Sequence, residues 1–214
     1  MNPPPWREHP ADSMTIANNI ATLDATIASS KGSRERFTLD IPRSWHTEIH
    51  RDCRHIPIPS YVGNYRGSDD PFLREYGVRF GPFLGSPPEL VQDALDAFAK
   101  SLETALSRLD GTMPSPTEAT PSRINSAIEC VARHYADWLK IHPFADGNGR
   151  TARILANWIL ARYWQPIVLP GRPPVDRAGL IAATTPALAL SDYRPLTRYL
   201  RTRLVQARRT STLQ

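Results

Sequence analysis

Residues 142–153 read HPFADGNGRTAR, and no other stretch of this chain is as dense in chemically active side chains. Gly147, Asn148 and Gly149 tolerate positive φ, so the backbone can turn tightly and point several N–H groups to one side. The apolar segment after this turn is long enough for a buried helix, with Asn148 as its N-cap. Free N–H groups and the positive end of the helix dipole would then face one point. The pattern therefore predicts an anion site that fits a phosphate.

The charged side chains of the same stretch complete a phosphate-handling site. Arg150 and Arg153 lie three residues apart on one face of the first helical turn, and their forked guanidinium groups suit phosphate oxygens. Asp146 would repel a phosphate unless a cation lies between them, which predicts a Mg²⁺ ligand. His142 can accept a proton from a hydroxyl near neutral pH. Phe144 is apolar, and we predict that it points inward and anchors the loop.

Each of these features has an ordinary structural explanation when taken alone. A Gly-Asn-Gly sequence is usually a turn, a histidine before proline is usually a loop residue, and two arginines at helical spacing usually form a solvated face. Their coincidence within residues 142–153 favours a functional site. The stretch resembles the motif of the Fic family, His-x-Phe-x-(Asp/Glu)-Gly-Asn-Gly-Arg-x-x-Arg. The specified positions are occupied by His142, Phe144, Asp146, Gly147, Asn148, Gly149, Arg150 and Arg153.

The resemblance extends over roughly residues 40–205 and implies transfer of AMP from ATP to a Ser, Thr or Tyr hydroxyl of a target protein. By this resemblance, His142 is the catalytic base, Asp146 binds Mg²⁺, and ATP is the co-substrate. The nucleotide-binding residues implied in the same way are Gly147, Asn148, Gly149, Arg150 and Arg153. Residues 77–91 resemble the family's flap, which would bind the backbone of the target protein by strand addition. The flap residues expected to do so are Val78, Arg79, Phe80 and Gly81.

Two glycines separate this chain from branches of the family with other chemistry. Kinases of the Doc branch carry Lys where Gly149 stands and transfer the γ-phosphoryl group. Relatives that transfer phosphocholine carry Ala at the position of Gly147. Glycine at both positions favours nucleotidyl transfer, but the base of the nucleotide stays open, so UMP, GMP and phosphoryl transfer remain alternatives. A Fic-fold module that binds partners without catalysis is a further alternative, which the intact His142 and Asp146 disfavour.

Many Fic proteins carry an inhibitory helix with the pattern (Ser/Thr)-x-x-x-Glu-(Gly/Asn), whose Glu pairs with the second motif arginine. No glutamate of this chain is followed by Gly or Asn. We therefore expect no inhibitory helix within the chain. Control would come from a separate antitoxin-like partner that supplies the glutamate, or the protein would act as an unrestrained toxin or effector.

The composition agrees with a globular enzyme: 41% of the 214 residues are hydrophobic and 22% are charged. No apolar run reaches the ~20 residues of a membrane span, and no secretory signal pattern is visible, so we expect a cytoplasmic protein without a membrane partner. A secreted effector stays an alternative. The net charge of +5 includes an arginine cluster over residues 194–209. Aromatic residues are not interleaved with these arginines as they are in single-strand binders, so we do not expect nucleic acid as a partner.

Hydrophobic spacing predicts mostly helix with one short hairpin. With the resemblance, this gives an all-α fold, a Fic-type helical bundle with a small β-hairpin flap over the active site. The predicted helices cover 13–30, 43–53, 89–109, 124–140, 150–164, 176–190 and about 195–207. Residues 1–10 are rich in proline and are expected to be disordered. We divide the chain into an N-terminal extension (1–39) with one helix, a Fic domain (40–207) and a C-terminal tail (208–214).

Overall fold

The computed structural model describes residues 4–171 and 176–211. Within these residues the protein consists of seven α-helices and one two-stranded hairpin, which confirms the all-α prediction. The helices are α1 (Ser13–Ser29), α2 (Asp40–Ile49), α3 (Val91–Thr112), α4 (Pro121–Ile141), α5 (Asn148–Arg162), α6 (Arg177–Leu190) and α7 (Arg194–Ser211). The hairpin strands are β1 (Arg79–Phe80) and β2 (Phe83–Leu84), which lie between α2 and α3 in the chain.

The helices α4 and α5 form the centre of the bundle. Nearly every residue of α5 is buried, from Asn148 at its start to Arg162 at its end. Burial on all sides is typical of a helix enclosed by other elements. α1, α2 and α4 pack against α5, while α3, α6 and α7 pack against α4. The two helices that flank residues 142–147 are therefore held inside one hydrophobic core.

The boundaries of α4 follow from its sequence. Pro121 occupies the first helical position, where its missing N–H costs nothing, and the Thr120 hydroxyl accepts a hydrogen bond from the Arg123 N–H at 3.5 Å. At the other end His142 is the C-cap, with a left-handed φ of 53°. Its N–H donates to the Trp138 carbonyl at 2.9 Å. This left-handed cap ends the helix and directs the chain into the loop that follows.

The prediction that Asn148 caps α5 is wrong. Gly147 is the N-cap, with a left-handed φ of 81°, and Asn148 is the first helical residue. The Asn148 side chain instead closes the preceding loop, because its Oδ1 accepts from the Phe144 N–H and its Nδ2 donates to the Phe144 carbonyl, both at 2.8 Å. A Cβ added at Gly147 would lie 3.0 Å from Nε2 of His46. Both its φ and its packing therefore require glycine at this position.

The segment before α1 also differs from expectation. The prediction of disorder over residues 1–10 is wrong for residues 4–10, which pack onto the bundle. Trp6 is buried, and its backbone N–H donates to the Tyr76 hydroxyl at 2.8 Å. The Tyr61 hydroxyl donates to the Pro4 carbonyl at 2.9 Å. Burial of a large indole ring supplies the free energy that a proline-rich segment otherwise lacks. We name residues 4–9 the N-terminal strap.

The first and last helices belong to the same bundle. α1 buries three isoleucines in the main core, at the spacing that its sequence predicts; they are Ile16, Ile20 and Ile27. α7 extends to Ser211, past the predicted end at 207 and into the segment that we divided off as a tail. Arg208 in this extension donates from Nε to the Gln165 side chain at 3.0 Å. None of the helices in the described parts of the chain has the length and apolarity needed to cross a membrane.

Candidate active site

The residues of the 142–153 stretch line a cavity of about 610 Å³ between the strap, the hairpin and α6. A cavity of this size falls within the range of small-molecule sites. The lining residues from the stretch itself are His142, Asp146, Gly147, Asn148, Gly149, Arg150 and Arg153. The hairpin adds Phe80, Gly81, Pro82 and Phe83, and the strap adds Arg7 and Glu8. The structure therefore brings together the predicted base, the predicted metal ligand and every predicted phosphate-binding residue.

His142 is held in a defined orientation by contacts on two sides. Its Nδ1 lies 3.1 Å from the Leu139 carbonyl oxygen, and its ring stacks on Phe80 with centroids 4.0 Å apart and an angle of 6°. Because a carbonyl only accepts, Nδ1 carries the proton and Nε2 has a free lone pair in the neutral ring. Burial lowers the pKa of His142 to about 4, and the charge of Arg66 acts in the same direction. The imidazole is therefore neutral at pH 7 and able to accept a proton through Nε2.

Arg150, in the first turn of α5, forms ion pairs with two carboxylates. Its Nη2 donates to Oδ2 of Asp146 at 2.7 Å, and its Nη1 forms an ion pair with Glu8 of the strap. The Arg150 and Glu8 side chains are 9% and 17% exposed, so water screens this pair only weakly. Carboxylate and phosphate oxygens compete for the same fork of guanidinium N–H groups. In this conformation Glu8 therefore occupies Nη1 of Arg150, where a phosphate oxygen could otherwise bind.

Asp146 presents a partly exposed carboxylate to the cavity. Its side chain is 29% exposed and lines the cavity beside the start of α5. Mg²⁺ commonly takes one or two protein carboxylates and completes its shell with phosphate oxygens and water. Within residues 4–171 and 176–211, no group of three or more His, Cys, Asp or Glu residues is arranged to hold a metal. The donor set thus fits a metal that arrives with a nucleotide better than one held by protein side chains alone.

Arg153 faces the cavity one turn further along α5. Its Nη2 donates to the Gly171 carbonyl at 3.1 Å. The opposite wall of the cavity is formed by one side of α6, from Arg177 to Leu188. Arg150 and Arg153 both reach the cavity, as their spacing predicts, so a polyphosphate could contact the two guanidinium groups together.

His46 of α2 contacts the back of the loop, and His50, the C-cap of α2, lies next to it. The Gly63 N–H donates to Nδ1 of His46 at 3.0 Å, so Nε2 carries the proton and donates to the Asp146 carbonyl at 3.0 Å. The His46 ring also stacks on Phe144 at 4.0 Å, and Phe144 is fully buried, as predicted. His50 lies four residues later on the same face and donates from Nδ1 to the His46 carbonyl at 2.9 Å. Burial lowers the pKa of both histidines, so they are neutral at pH 7.

The hairpin lies against His142. Each of its two strands pairs with the other along one edge, and the second edge of each strand is not part of this pairing. Arg79 pairs with Leu84 and Phe80 pairs with Phe83, around a turn in which Gly81 has a φ of 57°. Arg79 and Leu84 are exposed, while Phe80 packs on the His142 ring. The hairpin therefore has the geometry to accept an extended peptide beside the predicted base.

A sequence model of the Fic/DOC family matches residues 37–160, which include more than half of the chain and the whole 142–153 stretch. This chain belongs to the Fic/DOC family. The Fic motif thus forms the loop and helix start described above, and its residues line the cavity. The Fic-type bundle with its flap is confirmed by a solved Fic-domain signaling protein from Bacteroides thetaiotaomicron, which has a TM-score of 0.63 at 20% identity. That match covers 92% of this chain and 69% of the other.

The curated Fic relatives include two kinds of nucleotidyl transferase. A protein adenylyltransferase fic-1 from Caenorhabditis briggsae is 39% identical over 195 residues, which cover 89% of this chain. A uridine 5'-monophosphate transferase from Xanthomonas campestris pv. campestris is 33% identical over 118 residues, or 52% of this chain. The matched parts span 33% of the nematode protein and 19% of the bacterial one. The chain therefore corresponds to only a portion of each of these relatives.

Several residues that contact the motif are missing from the sequence-based set, among them His46, Glu8 and Arg66. His46 is signalled only by its spacing from His50, which places both on one face of α2. Glu8 and Arg66 carry no local signal, because each reaches the motif from a distant part of the chain. The roles assigned to the motif and flap residues remain predictions, and the structure supplies the distances with which to test them.

Proposed function

We propose that this Fic domain transfers AMP from ATP to a hydroxyl group of a target protein. The observation that carries the proposal is the orientation of His142. Its Nδ1 is engaged by the Leu139 carbonyl, which leaves Nε2 as the ring nitrogen able to take a proton at the cavity. The same cavity contains the start of α5 and both motif arginines. The names of the curated relatives support nucleotidyl transfer as the class of reaction.

In the proposed reaction, Nε2 of His142 accepts the proton of the target hydroxyl. The hydroxyl oxygen forms a bond to the α-phosphorus of ATP, and the bond from that phosphorus to the bridging oxygen breaks, so pyrophosphate leaves. A base of this kind typically contributes about 10²–10⁴ to the rate. The low pKa of His142 keeps the ring neutral before the step, at the expense of basicity.

The phosphates are proposed to lie against the start of α5, where the helix dipole favours an anion. Gly147, Asn148 and Gly149 would surround them, with Arg150 and Arg153 beyond. Asp146 would hold Mg²⁺ that arrives with ATP, and the metal would supply charge neutralisation between phosphate and carboxylate. Binding of the triphosphate requires Arg150 to exchange its contact with Glu8 for a phosphate oxygen.

The flap is proposed to hold the target backbone through residues Val78, Arg79, Phe80 and Gly81. Strand addition at the edge of the hairpin would place an extended segment of the target beside His142. Such positioning makes the attack effectively unimolecular, which lowers the barrier without further chemistry. Phe80 both belongs to the flap and stacks on the base, so the two parts of the site contact each other directly.

Other transferred groups are the second candidate. The match to a uridine 5'-monophosphate transferase supports keeping UMP transfer beside AMP transfer. Kinases of the family carry Lys at the position of Gly149. A side chain would fit there in this structure, because the nearest atom to an added Cβ is Nη1 of Arg153 at 3.7 Å. A non-catalytic binding module would need neither His142 nor Asp146 at the cavity, which makes it the weaker alternative.

Control is proposed to come from outside the chain, through an antitoxin-like partner, in a cytoplasmic toxin or effector. The N-terminal strap gives this proposal a direct test, because Glu8 reaches the first motif arginine without forming part of a helix. If the purified chain were inactive until Glu8 is mutated, control by a separate partner would not be needed.

The function can be tested by incubating the purified protein with Mg²⁺, cell lysate and ATP labelled at either the α- or the γ-phosphate. Label retained on protein from α-labelled ATP alone, and lost in His142→Ala, is the expected result. Retention from γ-labelled ATP alone would establish a kinase instead. Parallel reactions with α-labelled UTP and GTP decide the base. Absence of label from every nucleotide, with lysate as the source of targets, would contradict the proposal.

A further inference from the structure

The buried guanidinium of Arg66 connects the Fic motif to both ends of the flap. Its Nε donates to the His142 carbonyl at 2.8 Å, and Nη2 donates to the Ile141 carbonyl at 3.1 Å. The same Nη2 donates to the Ser86 carbonyl at 3.1 Å, after the hairpin, and Nη1 donates to the Tyr76 carbonyl at 2.7 Å, before it. One side chain therefore bonds to four carbonyls that lie close together only in the folded protein.

The chemistry of this contact is unusual for a buried arginine. Arg66 is 1% exposed, and the four groups that its guanidinium bonds to are neutral carbonyls rather than carboxylates. Burial lowers the pKa of Arg66 to about 10, so the group stays charged at pH 7. A buried charge without a counter-charge is costly unless its hydrogen bonds are nearly all satisfied. The planar fork satisfies them in a way that a lysine ammonium, with its donors on a single nitrogen, cannot reproduce.

The geometry around the fork is tight on the flap side as well. A Cβ added at Gly85 would lie 2.6 Å from Val78, 2.8 Å from Cβ of His142 and 3.0 Å from Nη2 of Arg66. The Ser86 N–H donates to the Ile141 carbonyl at 3.1 Å, next to the bonds that Arg66 makes. The base of the flap thus lies directly against the residue proposed to take the proton.

We propose that Arg66 is a positioning residue for group transfer: its guanidinium fixes the separation between His142 and the flap that presents the target hydroxyl. This inference rests on the proposed function. Arg66 holds the carbonyl of His142 in the left-handed C-cap, and it anchors the flap on both sides through Tyr76 and Ser86. None of its hydrogen bonds goes to residues 146–153, so the nucleotide half of the site does not depend on it.

The test compares two variants that disturb this contact in independent ways. Arg66→Lys keeps the positive charge but removes the fork, and Gly85→Ala keeps Arg66 but pushes the base of the flap away from His142. A displacement of about 1 Å at a reacting group can cost on the order of 10²-fold in rate. For both variants we expect transfer from α-labelled ATP into the main labelled lysate band to slow by about 10- to 100-fold. The Kd of Mg·ATP, measured by calorimetry, should stay within about threefold.

Two control variants separate positioning from general destabilisation. Arg162→Lys alters another buried arginine, which pairs with Asp110 at the far end of α5. Gly111→Ala adds a methyl group in α3 where an added Cβ meets no atom within 4 Å. We expect Arg162→Lys to lower Tm as Arg66→Lys does, while its transfer rate per folded molecule stays within about threefold of wild type. Gly111→Ala should match the wild type in transfer rate and have a Tm equal to or slightly above that of wild type, because alanine favours the helix more than glycine does.

A preserved transfer rate in Arg66→Lys and Gly85→Ala would overturn the inference, and so would a loss of Mg·ATP affinity parallel to the loss of rate. Amide hydrogen exchange supplies a reading that does not require activity. The Ser86 and His142 amides should exchange about tenfold faster in Arg66→Lys than in Arg162→Lys, because the carbonyl framework around them has loosened. If the wild type transferred no label at all, the proposed function would fail. The role of Arg66 could still be tested separately: equal exchange rates of the Ser86 and His142 amides in Arg66→Lys and Arg162→Lys would refute it.

Discussion

Replacing Glu8 by Gln should make Mg·ATP bind more tightly. The substitution keeps the size of the side chain and removes the charge that pairs with Arg150. A triphosphate that contacts Arg150 must displace Glu8, so the free energy of this ion pair is subtracted from the free energy of nucleotide binding. The contact with Asp146 at 2.7 Å remains in the variant and continues to orient the guanidinium.

The size of the effect follows from the burial of the pair. With the two side chains 9% and 17% exposed, the contact resembles a charge-assisted hydrogen bond more than a solvated surface pair. Such bonds contribute about 1.5–3 kcal/mol, against about 0.5–1.5 kcal/mol for a neutral one. The difference of roughly 1–1.4 kcal/mol corresponds to a five- to tenfold decrease in Kd.

Calorimetry with Mg·ATP measures this directly, with His142→Ala in both proteins to prevent turnover. AMP serves as a second ligand, and it should gain less than ATP because it lacks the outer phosphates. Glu103→Gln is the matched control, since Glu103 pairs with Arg36 at 3.2 Å on the surface, away from the cavity. Its Kd for Mg·ATP should equal that of the parent protein.

An unchanged or weaker affinity of Glu8→Gln for Mg·ATP would refute this reasoning. It would mean that Arg150 keeps its strap contact when nucleotide binds, and that the phosphates lie elsewhere along the start of α5. An equal gain for AMP and ATP would show that the strap hinders entry to the cavity as a whole rather than one phosphate position.

Three further predictions concern the motif and its histidines. His142→Ala should lower the transfer rate by about 10²–10⁴ while calorimetry shows Mg·ATP binding nearly unchanged; a parallel loss of binding would contradict its role as base. Arg153→Ala should weaken ATP more than ADP, and equal losses would place its contact on a different phosphate. Burial lowers the pKa of His46, His50 and His142, so the unfolded chain takes up protons below pH 6.5 that the folded protein does not. The free energy of unfolding in urea should therefore be flat above pH 7 and fall from pH 6.5 towards 5.5, by up to roughly 1.4 kcal/mol per pH unit for each histidine; equal stability at pH 7.5 and 5.5 would disprove it.

Most of the fold could be predicted because its signals are local. Apolar spacing in 89–109 and 124–140 marked α3 and α4 to within a few residues of their observed ends. The helix ends were less predictable. Asn148 has the chemistry of an N-cap, but the left-handed Gly147 takes that position, and the Asn148 amide bonds to Phe144 instead. Local propensity does not reveal which of two adjacent residues the loop will use.

Disorder in the strap was predicted for a related reason. A proline-rich segment looks incapable of packing until Trp6 is placed against Tyr76, His46 and His50. That surface is assembled from elements far apart in the chain, so no window of sequence contains both partners. The wrong prediction of disorder also left Glu8 out of the site, although Glu8 lies two residues after Trp6 and pairs with Arg150.

The sequence by itself determined the family of this protein and the residues of its motif: the stretch from His142 to Arg153 contains the predicted base, the predicted acidic ligand and both arginines. Only the tertiary structure decided how that chemistry is held and shielded. His46 supports the loop from behind, Arg66 ties it to the flap, and Glu8 covers one of its arginines. The physical reason is distance along the chain, because contacts between residues so far apart depend on how the whole bundle closes rather than on any local pattern.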